Sequence, residues 1–176
     1  RIIHCGSCGA PFDLRAANDG FILVIENCGI EDLSPIRGLP LIALNCPSNR
    51  IQSLEPLRGM PLTSLTCSGN PITSLEPLRG MPLTTVVCEG CPIESLEPLR
   101  GMPVTMVNIG GARVRDLDPL RGMSLTFLSC WGNQITCFDP LAGMKNLSAL
   151  YCSANQVESL EPLRGLSLVW MNCSGN

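Results

Sequence analysis

Residues 62–82 read LTSLTCSGNPITSLEPLRGMP, and the next 21 residues, 83–103, read LTTVVCEGCPIESLEPLRGMP. The same period runs outward in both directions. Copies begin at Gly20, Leu41, Leu62, Leu83, Val104, Leu125, Leu147 and Leu168; the sixth carries one extra residue and the eighth stops at its ninth position. Residues 20–176 therefore hold about seven and a half repeats. Apolar residues recur at repeat positions 1, 4, 6, 11, 14, 17 and 20, and position 9 is Asn in Asn49, Asn70, Asn133, Asn155 and Asn176. A unit this short buries its apolar side only by stacking on its neighbours, so the period implies a solenoid.

The spacing within a copy has a direct physical reading. Alternation at positions 4 to 6 predicts a short strand with one face inward, and stacking in register places successive strands about 4.8 Å apart in a parallel sheet. Position 9 then turns the chain, and an inward Asn there satisfies backbone groups that the turn leaves unpaired. Cys28, Cys91 and Ala112 interrupt that column, and Ala112 offers no hydrogen bond, so the fifth repeat is expected to be locally weaker or hydrated. The second half of each copy, S-L-E-P-L-R-G-M, puts Pro in a first helical turn and Gly just past its end, which predicts one short helical turn. Ser34, Asp118 and Asp139 are the better N-cap candidates before that Pro, and the Glu copies the poorer ones.

The pattern LxxLxCxxNxI resembles the leucine-rich repeat. The short copy is similar to the class with compact convex turns, as in bacterial internalins, and to the arrays of planctomycete and verrucomicrobial proteins. The resemblance covers residues 20–176. It implies an α/β solenoid: a right-handed horseshoe or gently curved superhelix with a parallel β-sheet on the concave face and short 3₁₀ or irregular convex turns. Cysteine at position 9 is an accepted variant in that family.

Cysteine occupies position 6 in six copies, as Cys46, Cys67, Cys88, Cys130, Cys152 and Cys173, with Ile109 in the fifth. These form an inward column of small hydrophobes, where free Cys is at home. Two parallel inward Cβ vectors make awkward S–S geometry, so free thiols are expected. Cys88 and Cys91 spell CxxC, yet both fall at core positions and need no metal or redox role to explain them. Residues 1–19 lie outside the repeat and are read as an N-terminal cap or linker. Within them His4, Cys5 and Cys8, in HCGSCGAPF, look like half of a zinc knuckle. A structural zinc needs four ligands and the second knuckle is absent. A capping loop, bound zinc and a Cys5–Cys8 disulfide all remain open readings.

Net charge is −3 and the 12 Lys and Arg form no run, which argues against nucleic acid. No stretch approaches the roughly 20 apolar residues of a membrane span. Acidic residues at position 15 (Glu55, Glu76, Glu97, Asp118, Asp139, Glu161) and Arg at position 18 (Arg37, Arg58, Arg79, Arg100, Arg121, Arg164) make solvated convex stripes. Positions 2, 3, 5, 7 and 8 face the concave side, and only Glu26 and Glu89 among them are charged. Phe127, Tyr151 and Trp170 fall at positions 3, 5 and 3 of the sixth to eighth copies, with Trp131 at position 7 and Met106 at position 3 of the fifth. Contiguous exposed aromatic and apolar side chains mark contact sites; stacked residues of a sheet face also support one another.

The histidine His4 is the only one in the chain, and no Cys–His or Ser–His–Asp set shares a surface, so catalysis is not expected. The leading expectation is a non-catalytic binding module, part of a larger bacterial protein, that takes a protein or peptide on its concave face. Second is a structural subunit that assembles head to tail, because the eighth copy ends with Met171 and Cys173 facing an unfinished core and an open edge strand. Eleven cysteines suit a reducing cytoplasm, whereas related arrays are displayed outside the cell, and the sequence does not choose between the two.

Overall fold

The computed structural model describes residues 12–176. Nine strands form one sheet in chain order: β1 (Asp13–Ala17), β2 (Gly20–Val24), β3 (Leu41–Asn45), β4 (Ser64–Thr66), β5 (Thr85–Val87), β6 (Met106–Asn108), β7 (Phe127–Ser129), β8 (Ala149–Tyr151) and β9 (Trp170–Asn172). From β2 onward every pair is parallel, and apart from a register shift at Phe21 equal repeat positions pair, as in Ser64 opposite Thr85 and Thr85 opposite Met106. The extra residue of the sixth copy leaves this intact, since Phe127 still pairs with Ala149. It is absorbed in the turn where the Lys145 N–H donates to Gly143 O and the Leu147 N–H to Met144 O.

The short strands occupy positions 3 to 5, one residue earlier than the alternation implied. Position 4 points inward, position 6 follows it into the core just past the strand, and positions 3 and 5 look outward. Leu65, Val86, Val107, Leu128 and Leu150 at position 4 are fully buried, as are Cys67, Cys88, Cys130 and Cys152 at position 6. The opposite wall comes from positions 11, 14 and 17, for example Ile72, Leu75 and Leu78. In the sixth copy Phe138 replaces the position-14 leucine and is itself completely buried. Outside the repeats, β1 runs antiparallel to β2 through a tight turn at Asn18–Asp19, so the first parallel strand is flanked by a hairpin partner.

Each convex turn is a 3₁₀ turn over positions 15 to 17, such as Glu55–Leu57 and Asp118–Leu120, with Pro in its first turn. The expected caps at Ser34, Asp118 and Asp139 do not form, because no residue flanking these turns makes a side-chain cap bond there. The cap comes from position 13 instead. The N–H of Ser34 donates to Asp32 Oδ1 at 2.7 Å, that of Glu55 to Ser53 Oγ at 3.2 Å, and that of Asp118 to Asp116 Oδ1 at 2.8 Å. A side-chain acceptor two residues before the donor makes a local turn of its own, which explains why Ser, Asp or Cys stands at position 13 in every complete copy.

The Asn column holds consecutive turns together. Asn70 Nδ2 donates to Cys46 O of the previous copy at 2.9 Å and to Cys67 O of its own at 2.8 Å, while its Oδ1 accepts the Ile51 N–H at 3.0 Å. Asn133 and Asn155 repeat this pattern. At Ala112 the ladder is lost, and the Ile93 N–H of the preceding copy turns back to Cys91 O at 2.7 Å. The gap is closed locally rather than between copies. Restoring it with Ala112→Asn is expected to raise stability by about 1 kcal/mol, read as a higher urea midpoint; an unchanged or lower midpoint would show that the local turn is as good as the ladder.

Among the described residues no helix is long and apolar enough to cross a membrane, and no group of three or more His, Cys, Asp or Glu is arranged to hold a metal ion. His4, Cys5 and Cys8 lie outside the described residues.

Candidate binding face

Outward positions 3 and 5 of a parallel ladder form straight rows, because equal positions pair strand to strand. The position-3 row at one end of the sheet reads Met106, Phe127, Ala149, Trp170 across β6 to β9. The position-5 row beside it reads Asn108, Ser129, Tyr151, Asn172. Phe127 thus has a methyl group, not a bulky side chain, as its neighbour on β8, and Tyr151 has Ser129 on β7. The two rings meet across this diagonal of small residues, with centroids 5.7 Å apart and planes tilted by 42°. Such a tilted aromatic pair is favourable beyond its buried area.

Trp131 follows β7 at position 7 and does not join the pair. Its indole lies back over the fifth copy, on Gly110, where an added Cβ would collide with Nε1, Cδ1 and Cε2 of the ring. Gly111 lies under the far edge of the same ring, since a Cβ there would stand 3.5 Å from its Cη2. Two successive glycines therefore make the seat for Trp131. The sequence places five residues on one face, and the structure sorts them: Phe127 and Tyr151 in contact, Met106 beside Phe127 in register, Trp170 beyond Ala149, and Trp131 seated one copy back.

These side chains remain accessible. Met106 is 39%, Trp131 39%, Tyr151 37% and Trp170 65% exposed, against essentially nothing for the inward Val107, Leu128 and Leu150 of β6 to β8. Phe127 is half-buried by its neighbours.

The rest of the face is polar and self-satisfied. At position 2 the hydroxyls of Thr63, Thr84, Thr105, Thr126 and Ser148 donate to the position-2 carbonyl of the preceding copy at 3.0, 3.1, 3.3, 3.2 and 3.0 Å. This hydroxyl ladder was legible as an unbroken Thr/Ser column but has no apolar signal to draw the eye. Glu89 accepts a hydrogen bond from Asn108 Nδ2 at 2.8 Å, so the charge nearest the aromatic end is already partnered. Asn108 Oδ1 accepts the Gly110 N–H, and Asn172 Oδ1 accepts the Ser174 N–H, each two residues on. Asn45 stands at the same position, but two residues on is Pro47, which has no N–H, and Asn45 Oδ1 is buried without a donor.

The convex side presents ion pairs. Arg58, Arg79, Arg100, Arg121 and Arg164 each bind the acidic residue three positions earlier, and Arg100 also reaches Asp118 at 3.4 Å. The guanidinium of Arg58 holds the Glu55 carboxyl below its usual value, and Arg79 does the same for Glu76. Pairs this exposed contribute little to stability.

A sheet of parallel strands joined by 3₁₀ turns at a 21-residue step, with an Asn ladder, is the architecture of one repeat family. The family description "Leucine Rich repeats (2 copies)" matches residues 124–165. The chain has the leucine-rich-repeat fold. Among solved structures the repeat protein is similar to internalin C2 of Listeria monocytogenes, with 29% identity and a TM-score of 0.72, covering 87% of this chain and 80% of that one. It is similar in fold to the internalin InlF of the same organism, with 23% identity and a TM-score of 0.71, covering 83% of this chain and 52% of that one. The chain thus spans about half the length of InlF. No curated protein matches it in sequence. Leucine-rich-repeat arrays of this kind are protein-interaction modules, in general non-enzymatic scaffolds.

Proposed function

We propose that this repeat protein binds a protein or peptide partner through the aromatic end of its concave face, with Phe127 and Tyr151 at the centre and Met106, Trp131 and Trp170 around them. The observation that carries the reading is the accessible Phe127–Tyr151 pair. It is mounted on strands whose inward residues are fully packed, so little ordering entropy is lost when a partner docks on it. Its surroundings are nearly neutral, which suits an apolar peptide or loop better than a phosphate-rich ligand. The reading includes no catalysis: the one histidine, His4, stands outside the repeats, and most cysteines of the repeats lie in the core.

A random peptide library displayed on phage and selected against the folded chain tests this. Enriched peptides are expected to lose about 100-fold in affinity for Phe127→Ser/Tyr151→Ser, in line with two central hot-spot residues. They should bind Arg58→Ala/Arg79→Ala unchanged. The opposite pattern would move the site to the convex stripes.

A further inference from the structure

Three neighbouring copies converge on Gly110. Its N–H donates to Asn108 Oδ1 at 3.1 Å, and Asn108 Nδ2 in turn donates to Glu89 Oε2 of the preceding copy at 2.8 Å. Its missing side chain admits the Trp131 indole of the following copy, whose Nε1, Cδ1 and Cε2 fill the place of a Cβ. The backbone ladder runs on through this row, because the Gly69 N–H donates to Glu89 O, the Gly90 N–H to Gly110 O and the Gly111 N–H to Trp131 O, each at 2.8 Å. Glu89, Gly110 and Trp131 are therefore successive members of the position-7 row. Drawn back over Gly110, the indole is displaced sideways from the Glu89 backbone by one strand spacing, about 4.8 Å.

The carboxylate held beside it lacks a counter-ion. Asn108 is neutral and takes one acceptor site of a group that has about four. On the convex side Glu55, Glu76, Glu97, Asp118 and Glu161 each pair with an arginine. Among the described residues no basic side chain pairs with Glu89, and positions 2, 3, 5, 7 and 8 contain no Lys or Arg in any copy. Glu89 is half-buried and Trp131 exposed, so both are reachable from the concave side. A cation gains from both at once, through the quadrupole of the indole face and the charge of the carboxylate. An anion is repelled there, and an apolar group seated on the ring would desolvate Glu89 without compensating it.

We propose that the peptide partner carries a basic side chain, Lys or Arg, seated between Glu89 and the Trp131 ring. This assignment rests on the reading of the aromatic end as the binding site and adds to it the charge of the partner. The cationic head meets the Glu89 oxygen that Asn108 leaves open, and the aliphatic stem lies along the ring. Asn108, fixed by the Gly110 N–H, is a positioning residue for the carboxylate. One segment reaches both subsites. The Phe127–Tyr151 pair lies two to three strands across and about three residues along the sheet from Glu89, roughly 15 Å by strand spacing and rise. About five residues of extended chain cover that distance.

The test uses two random peptide libraries displayed on phage, identical except that one omits Lys and Arg, both selected against the wild-type chain. Peptides enriched from the complete library are expected to carry Lys or Arg and to bind about tenfold tighter than the best of the other. Glu89→Gln keeps an acceptor for Asn108 and so preserves the local fold. It should weaken the basic peptides about fivefold and leave the uncharged ones unchanged. Glu26→Gln, at the other acid of the face, should change neither set, and Phe127→Ser/Tyr151→Ser should weaken both. Enrichment without Lys or Arg, an equal loss with Glu26→Gln, or a Glu89→Gln effect that is the same on both sets would overturn the basic partner and leave the Phe127–Tyr151 reading standing. Peptides that bind Phe127→Ser/Tyr151→Ser as well as the wild type would overturn that reading, and this one with it.

Discussion

Raising the pH from about 9 towards 12 in a reducing buffer is expected to unfold the repeat protein steeply. Burial pushes the Cys46 and Cys152 thiols up to about 12, from an ordinary value of 9.0, and raises Cys130 as well. A thiol whose folded value is raised stays protonated in the fold while the unfolded chain ionises. Its contribution is therefore complete below the unfolded value and is lost as pH climbs through the window up to the folded value. Three units correspond to roughly 4 kcal/mol for each such thiol, so two or three of them are comparable with the whole reserve of a typical domain, about 5–15 kcal/mol. Cys67 is raised in the same sense, and Cys91 works in the opposite one, as one group against four. The check is a series of urea midpoints across that range for the wild type and for Cys46→Val/Cys130→Val/Cys152→Val. Ile25 and Ile109 fill the same repeat position naturally, both buried, so an aliphatic side chain is accommodated there. The variant should lose most of the alkaline slope; equal slopes would place the sensitivity outside the thiol column.

Asn70→Ala is the second large effect. The substitution removes the donor to Cys46 O and Cys67 O and the acceptor for the Ile51 N–H, all buried. Each orphaned group costs about 1–3 kcal/mol, so a total of about 3–5 kcal/mol is expected. Urea unfolding monitored by circular dichroism measures it. The natural gap at Ala112 is no precedent for tolerance, because there the Ile93 N–H has the Cys91 carbonyl as a local substitute. A loss below about 1 kcal/mol would mean that the turn after Asn70 can close in the same way, and that the ladder is a redundant feature of the fold.

The fold was legible because a 21-residue period with fixed apolar positions has few physical solutions, and the inward positions named from the spacing are buried through the middle copies, with exceptions such as Leu39, Leu160 and Met171 towards the ends. Finer features depended on three-dimensional coincidences. The strand sits one residue earlier than the alternation suggested, because positions 4 and 6 are both inward but the chain has begun to turn by position 6. The caps moved from position 15 to position 13, where Ser53, Ser74 and Asp116 complete local turns before the Pro. The backbone is left-handed at position 8 in every copy, mostly at Gly but also at Asn27, Ser48 and Ala154; the Gly column hinted at this and its exceptions hid it. β1, the hairpin partner of β2, lay outside the repeat, although Asn18-Asp19-Gly20 carries a hairpin-turn signal.

The binding face was legible as a list of outward positions but not as an arrangement. Whether Phe127 touches Tyr151 depends on Ala149 and Ser129 being small, and the seat of Trp131 depends on Gly110 having no side chain. These are properties of neighbours on other copies, and a single copy read alone does not contain them.

Both tryptophans of the chain, Trp131 and Trp170, lie on the proposed face, so intrinsic fluorescence reports on that face alone. The most direct test is to titrate a selected peptide into the protein and follow tryptophan emission together with acrylamide quenching. Binding on the aromatic end should shift the emission to the blue and protect both indoles from the quencher. A peptide that binds with the same affinity while emission and quenching stay unchanged would contradict the account.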